Sequence, residues 1–340
     1  MALVRIDLDQ LQQDGLIGPD LARLIAERAQ PDGRAGLFVN LALILGALAV
    51  ASGAIALVPN ATTGLVLALL AIGATEGIRR MAPGASLKVL SAGLALMGVL
   101  GLAGWVGWEY RDMDEATMPA LLITLIMGGG AAWFRSGFLS ALAVLALGAV
   151  FGTGTGYWHA CYGVFVEQPA ITIGVFGALA AGLYAARERI AAVWADLATI
   201  AARTAFFLAN FGFWVGSLWG DDLGERYRYS EGQSWEDWRA ATTHIPEAVF
   251  SLGWPVLLIG TMLKAKRGGF LSVTATVFLA IHAYTQYFET FGAHPETLLL
   301  GGLGLVALAV LAARFLRREV RTAWTRRRLR SSPRRRARGP

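Results

Sequence analysis

Residues 204–220, TAFFLANFGFWVGSLWG, run into the polar stretch DDLGERYRYSEGQSWEDWRAATTHIPEA at 221–248, and the chain then resumes as VFSLGWPVLLIGTML at 249–263, just ahead of Lys264, Lys266 and Arg267. An apolar run, a long polar excursion and a second apolar run closed by basic residues read as helix, external loop, helix. Similar apolar segments with shorter connections lie on both sides, so the loop at 220–245 is the largest exposed feature expected of the whole chain.

Composition fixes the solvent. With 55% hydrophobic residues, 16% charged residues and 41 glycines, most of the chain is expected to face lipid rather than water. Backbone polar groups in hydrocarbon must be satisfied within the segment, and the apolar runs are continuous rather than alternating, which favours helices over a β-barrel. The expected fold class is all-α, a polytopic transmembrane helical bundle with a small N-terminal cytosolic helical cap. Cys161 is the single cysteine, so no intramolecular disulfide framework is available. The first 36 residues carry both charge signs, unlike the basic-then-apolar layout of a cleaved signal peptide, and the first apolar run is expected to stay as an anchor.

Three parts follow: a cytosolic amphipathic cap at 1–36, a transmembrane bundle at 37–315, and a basic cytosolic tail at 316–340. In the cap, Leu8, Leu11, Leu16, Ile17, Leu21, Leu24 and Ile25 supply the apolar face of two short helices, with Pro19 placed at a first helical turn. Packing on the bundle, lying on the membrane surface and docking a partner are all open to it. The bundle reads as ten spans, near 37–58, 62–78, 87–108, 118–134, 136–156, 169–186, 200–219, 246–263, 269–290 and 296–315. The second, fourth and sixth lie near the lower length limit for a crossing, about 17 residues.

Basic residues test that count, because Lys and Arg of short loops stay on the cytoplasmic side. With the N-terminus inside, 26 of the 30 fall on inner segments, leaving Arg111, Arg226, Arg228 and Arg239 outside. An even number of spans with both termini cytoplasmic is the topology that keeps this alternation. Arg326, Arg327, Arg328, Arg334, Arg335 and Arg336 dominate the tail. A polybasic run directly after a span is expected to meet anionic lipid headgroups, worth about 1 kcal/mol per residue near the surface, rather than nucleic acid.

Small residues at helix interfaces let backbones approach in lipid. Gly148, Gly152 and Gly156 recur every four residues and are expected to form one face of the fifth span leading to His159, while Gly128, Gly129 and Gly130 interrupt the fourth span. Five spans and five would also allow an inverted repeat, although no motif is shared between the halves.

Candidate chemistry gathers on the expected outer side. His159, His244, His282 and His294 all fall there, with Cys161, and Glu109 follows Trp105 and Trp108 at the end of the third span. On the ninth span His282, Thr285, Gln286 and Glu289 stand at i, i+3, i+4 and i+7, one polar stripe that should turn away from lipid. Glu109, His159, Trp214, His244, His282, Gln286 and Glu289 are the candidate ligand-binding residues of an outward-facing cavity; the alternative is interfacial polar groups that satisfy one another. In the loop, Ser234 to Asp237 has capping-box spacing, and Trp235 with Trp238 would give a short helix an apolar face. That helix either lies flat on the outer leaflet or forms a lid. Neither a paired-ligand metal motif nor a nucleotide, hydrolase or metalloprotease fingerprint is present, so no metal, cofactor or catalytic residue is expected.

The segment LQQDGLIGPDLARLIAER at 11–28, followed by the first span LALILGALAVASGAIALVPN at 41–60, resembles bacterial membrane proteins of the family called domain of unknown function 2157. The match covers about the first 60 residues; where the family commonly has Ala-Asn-Trp, this chain has Pro59-Asn60. The resemblance implies a multi-pass protein of the bacterial inner membrane and supplies no catalytic residues. The expected function is binding or transport of a small polar or amphipathic envelope solute. The alternatives are a membrane-embedded enzyme, which would require Glu109, His159, His244, His282 and Glu289 to converge, and a structural or regulatory protein acting through its N-terminal cap. Nothing in the sequence sets an oligomeric state.

Overall fold

The computed structural model describes residues 60–81, 85–113, 116–158, 161–224, 234–265 and 269–307, with a few single positions elsewhere. The expected cap, most of the first span, the basic tail and His159 lie outside them. The elements in order are α1 (Ala61–Arg80), α2 (Ala85–Glu109), α3 (Thr117–Phe134), α4 (Gly137–Val150), β1 (Thr153–Trp158), β2 (Cys161–Val166), α5 (Pro169–Ala186), α6 (Ala192–Trp219), β3 (Asp221–Leu223), α7 (Trp235–Ala241), β4 (Thr243–Ile245), α8 (Glu247–Lys264) and α9 (Phe270–Phe291), then α10 (Pro295–Ala307). Among the described residues the strands pair as β1 with β2 and β3 with β4, and helix dominates the fold.

Among the described residues, six helices are long and apolar enough to cross a membrane: α1, α2 from Leu87 onward, α3, α5, α6 and α8. The fold is that of a membrane protein. On α8 the burial pattern is the reverse of a soluble helix: Val249, Leu252, Val256, Ile259 and Leu263 form an exposed apolar stripe, while Phe250, Trp254 and Leu258 are buried on the opposite face. Lipid, not water, is the partner such a stripe fits. α9 has 22 residues but is not among the six, because its second half carries His282, Thr285, Gln286 and Glu289. α4 has only 14, about 21 Å of rise against a hydrocarbon core of about 30 Å.

The chain divides into two compact units, residues 1–154 with 181–204, and 155–180 with 205–340. In the first, α1 and α2 pack closely through glycine. A Cβ at Gly98 would stand 2.6 Å from Ile72 Cγ1 and 2.9 Å from the Ala68 carbonyl oxygen. Thr75 is fully buried at this contact, its hydroxyl donating to Ala71 O at 2.8 Å and reaching Ser91 O at 3.3 Å. Val99, Ala103, Met127, Ala131 and Leu139 form the core shared by α2, α3 and α4. Ser140 Oγ donates to Leu197 O at 3.1 Å, tying α4 to the start of α6.

Two expectations for this unit are corrected. Gly128 to Gly130 do not interrupt the fourth span, since α3 runs unbroken through them; the flanking apolar packing, Gly130 against Val99 and Leu139, holds the helix where propensity alone would weaken it. The predicted helix over 136–156 stops at Val150. Gly152 adopts φ 72°, a left-handed conformation that favours glycine, and the alternating TGTGYW that follows becomes β1. Gly148 lies in α4 and Gly156 in β1, so Gly148, Gly152 and Gly156 do not share a helix face.

In the second unit the core is Trp254, Leu258, Ala275 and Phe278, packed against Phe213, Trp214 and Met262. Gly216 of α6 lies under the Phe250 ring, where a Cβ would approach to 2.7 Å. α9 and α10 are joined by a tight corner at Gly292, and Tyr287 Oη donates to Thr297 O at 3.1 Å across it.

Candidate functional site

The polar groups of the second unit begin as repairs to its helices. α8 contains Pro255, which has no N–H, so the Ser251 carbonyl four residues earlier receives no helical hydrogen bond. α6 ends at Trp219, so the Ser217 carbonyl is among the last four that a helix leaves unpaired. α9 supplies both with partners. His282 Nε2 lies 3.1 Å from Ser251 O, and because a carbonyl only accepts, this nitrogen carries the proton. Gln286 Nε2 donates to Ser217 O at 3.3 Å, and Ser251 Oγ donates to the same oxygen at 3.2 Å. One turn deeper, Trp254 Nε1 donates to Asn210 Oδ1 at 2.9 Å, and Asn210 Nδ2 donates to Phe206 O at 2.7 Å. The Trp254 and His282 rings meet edge to face at 5.0 Å. His282 Nδ1 and Trp214 Nε1 are buried with no hydrogen-bond partner among the described residues.

Where α6 ends, the chain turns through Gly220 at φ 70° into β3, with Ile245 O so near that a Cβ would approach it to 2.6 Å. β3 pairs antiparallel with β4, Asp221 opposite Ile245 and Asp222 opposite His244. The two aspartates then take different roles, as alternation along a strand requires. Asp222 Oδ1 pairs with His244 Nδ1 at 2.9 Å. Asp221 is buried, and its Oδ2 accepts from Ala170 N at 2.7 Å, capping the first turn of α5. Gln168 Nε2 donates to Gly224 O at 2.6 Å, a second bond between the same two segments. Asp221 Oδ1, also buried, has no hydrogen-bond partner among the described residues. Desolvation raises the Asp221 carboxyl above its ordinary value; the Ala170 N–H pulls the other way, and the Asp222 charge adds to the rise.

A cavity of about 280 Å³ opens here, lined by Val166, Glu167, Pro169, Val215, Trp219, Gly220, Asp221, Asp222 and Trp238. Trp238 belongs to α7, whose start is capped as its spacing predicts: Ser234 Oγ accepts from Asp237 N at 3.1 Å. Trp235 and Trp238 stack at 4.8 Å, with Trp238 buried against the unit and Trp235 half exposed.

Set against the sequence, the structure brings some candidates together and leaves others apart. His282, Gln286 and Trp214 lie on the helix faces around the repaired carbonyls; His244 joins Asp222 beside the cavity; Trp238 walls it. Glu289 is exposed at the far end of the stripe, and Glu109 is exposed at the end of α2 in the other unit. Sequence reasoning missed Asp221, Asp222 and Glu167. Their signal was the step from an apolar helix through Trp219-Gly220 straight into two acids, which a reading of the loop as merely polar passes over.

A larger cavity of about 450 Å³ lies along α1 and α2 in the first unit, walled by Gly64, Ala68, Gly101, Gly104 and Trp105 among others; apart from Asn60, its walls offer a ligand only apolar groups and indoles. Comparison with protein-family models, curated proteins and solved structures finds no match to this chain.

Proposed function

We propose that this protein binds a small polar or amphipathic solute at the membrane surface, at the cavity between the end of α6, the start of α5 and α7, as a binding or transport protein. The observation that carries the reading is Asp221, a buried residue that lines the cavity beside two indoles and whose Oδ1 has no hydrogen-bond partner among the described residues. Buried polar atoms are paired in the great majority of cases, and a concave site with a few convergent polar groups is the usual form of a ligand site.

The same reading takes the chain as ten spans with both termini cytoplasmic in a bacterial inner membrane, the cavity opening outward and the basic tail held by anionic lipid. The charge asymmetry supports that orientation, and the opening residues support kinship with the domain of unknown function 2157 family. The test is a thermal-unfolding scan of the purified protein in lipid nanodiscs against a panel of cationic, anionic, zwitterionic and neutral small solutes. Stabilisation by one charge class, lost on replacing Trp219 by Leu, is expected. A panel with no stabilising member would overturn the proposal.

A further inference from the structure

Resting on that reading, we propose that the solute is an organic cation, an amine or quaternary ammonium group, seated between the Asp221 and Asp222 carboxylates and the Trp219 and Trp238 indoles. Three acidic residues, Glu167, Asp221 and Asp222, line one cavity, and beside it His244 is engaged by Asp222. One Asp221 oxygen is used in capping α5, and the other, in a residue only 3% exposed, has no hydrogen-bond partner among the described residues. A positive group is the partner that relieves such an oxygen.

The arrangement also says which kind of cation. Two indoles, those of Trp219 and Trp238, belong to residues lining the same cavity as the acids. Indole faces are the strongest aromatic partners of a diffuse cation, and recognition of quaternary ammonium groups is a known use of them. A volume of about 280 Å³ suits a head group of a few heavy atoms. The same chemistry is offered by a free amine and by the head group of an ethanolamine or choline lipid.

The carboxylate binds the cation in its charged form, so affinity rises with pH as Asp221 deprotonates. Among the described residues, Asp222 on the same strand, His244 on β4 and Glu167 ahead of α5 are the other titratable groups at or beside the cavity.

The experiment is calorimetric titration of the full-length protein in detergent with tetramethylammonium, choline and ethanolamine, against 3,3-dimethylbutan-1-ol as the neutral shape of choline and acetate as an anion. Binding of at least one cation is expected, with the neutral alcohol weaker by on the order of tenfold or more. Asp221→Asn, which keeps an acceptor for Ala170 N, and Trp219→Leu, at a largely exposed position, should each weaken the cation by a similar factor while still unfolding in one cooperative transition. Repeating the titration in phosphatidylglycerol nanodiscs with and without phosphatidylethanolamine separates the sources: competition by the lipid assigns the site to a head group, and its absence to a free amine. Equal binding of the neutral alcohol, preference for acetate, or cation binding that ignores both variants overturns the cation inference while leaving a solute site standing. If no cation binds and the broader panel also fails, both readings fall.

Discussion

His282 Nε2 stands 3.1 Å from the Ser251 carbonyl oxygen, the acceptor that Pro255 leaves without a helical donor. A histidine in the polar stripe of α9 is thereby explained by a proline on α8. In a bilayer the alternative for that carbonyl is hydrocarbon, where an unpaired backbone group costs several kcal/mol, and neighbouring helices are the usual remedy. Gln286 does the same for Ser217 O at the end of α6.

If this is what His282 does, its removal depends on Pro255. His282→Ala should destabilise the protein by about 1–3 kcal/mol by orphaning the carbonyl, and His282→Gln, which retains a donor, should recover part of it. In a Pro255→Ala background, where residue 255 regains its N–H, His282→Ala should cost clearly less. The coupling energy from this double-mutant cycle, read by unfolding in mixed micelles, is the decisive number; additivity within about 0.3 kcal/mol would show that the two residues are not linked.

Close approach of α1 and α2 makes Gly98 sensitive in a way Gly104 is not. Gly98→Ala should cost about 1–3 kcal/mol, because the added methyl meets backbone at Ala68 as well as Ile72 and the helices must part. Gly104→Ala, where a Cβ meets nothing within 4 Å, should be neutral or slightly stabilising through helix propensity. Equal effects of the two on the Tm would remove the argument for close packing at Gly98.

The helical segments were legible because lipid imposes one rule on every residue of a span: α3 and α5 begin and end within a residue of the predicted spans. The break at Val150 was not, since Gly-Thr-Gly-Thr-Gly is compatible with a glycine-faced helix or a strand, and only the φ of Gly152 chooses. The inward turn of His282 and Gln286 follows from periodicity. What they bond to does not, because the acceptors lie 31 and 69 residues away. Asp221 was hidden for the same reason: in sequence it is the first polar residue of a loop, and its burial depends on Ala170, 51 residues earlier.

Orientation rests on charge, so it is open to a direct check. Fusion of a reporter active only in the cytoplasm should give signal at residue 340 and none at residue 230, and a periplasmic reporter should give the converse. A periplasmic signal at the C-terminus would reverse the assignment of the cavity to the outer side, since 26 of 30 basic residues would then lie on translocated segments.

Asp221 makes stability depend on pH in a defined direction. Its carboxyl is held above the ordinary 3.8, so between that value and its folded-state value the native chain binds the proton more tightly than the unfolded chain does. Stability from this group is therefore complete below about pH 3.8 and is lost as pH rises through the folded-state value. Asp221→Asn has no proton to lose, and its amide oxygen can still accept from Ala170 N. The Tm of wild type minus that of Asp221→Asn, measured from about pH 3 to pH 8, should fall as pH rises and then level off; taking the difference cancels the other carboxylates. A difference that grows with pH would mean that the carboxylate is better stabilised than the neutral acid, as it would be with a positive group already bound at Oδ1. Adding a saturating organic cation to wild type should produce that same reversal, because it pairs the charged form and pulls the Asp221 pKa back down.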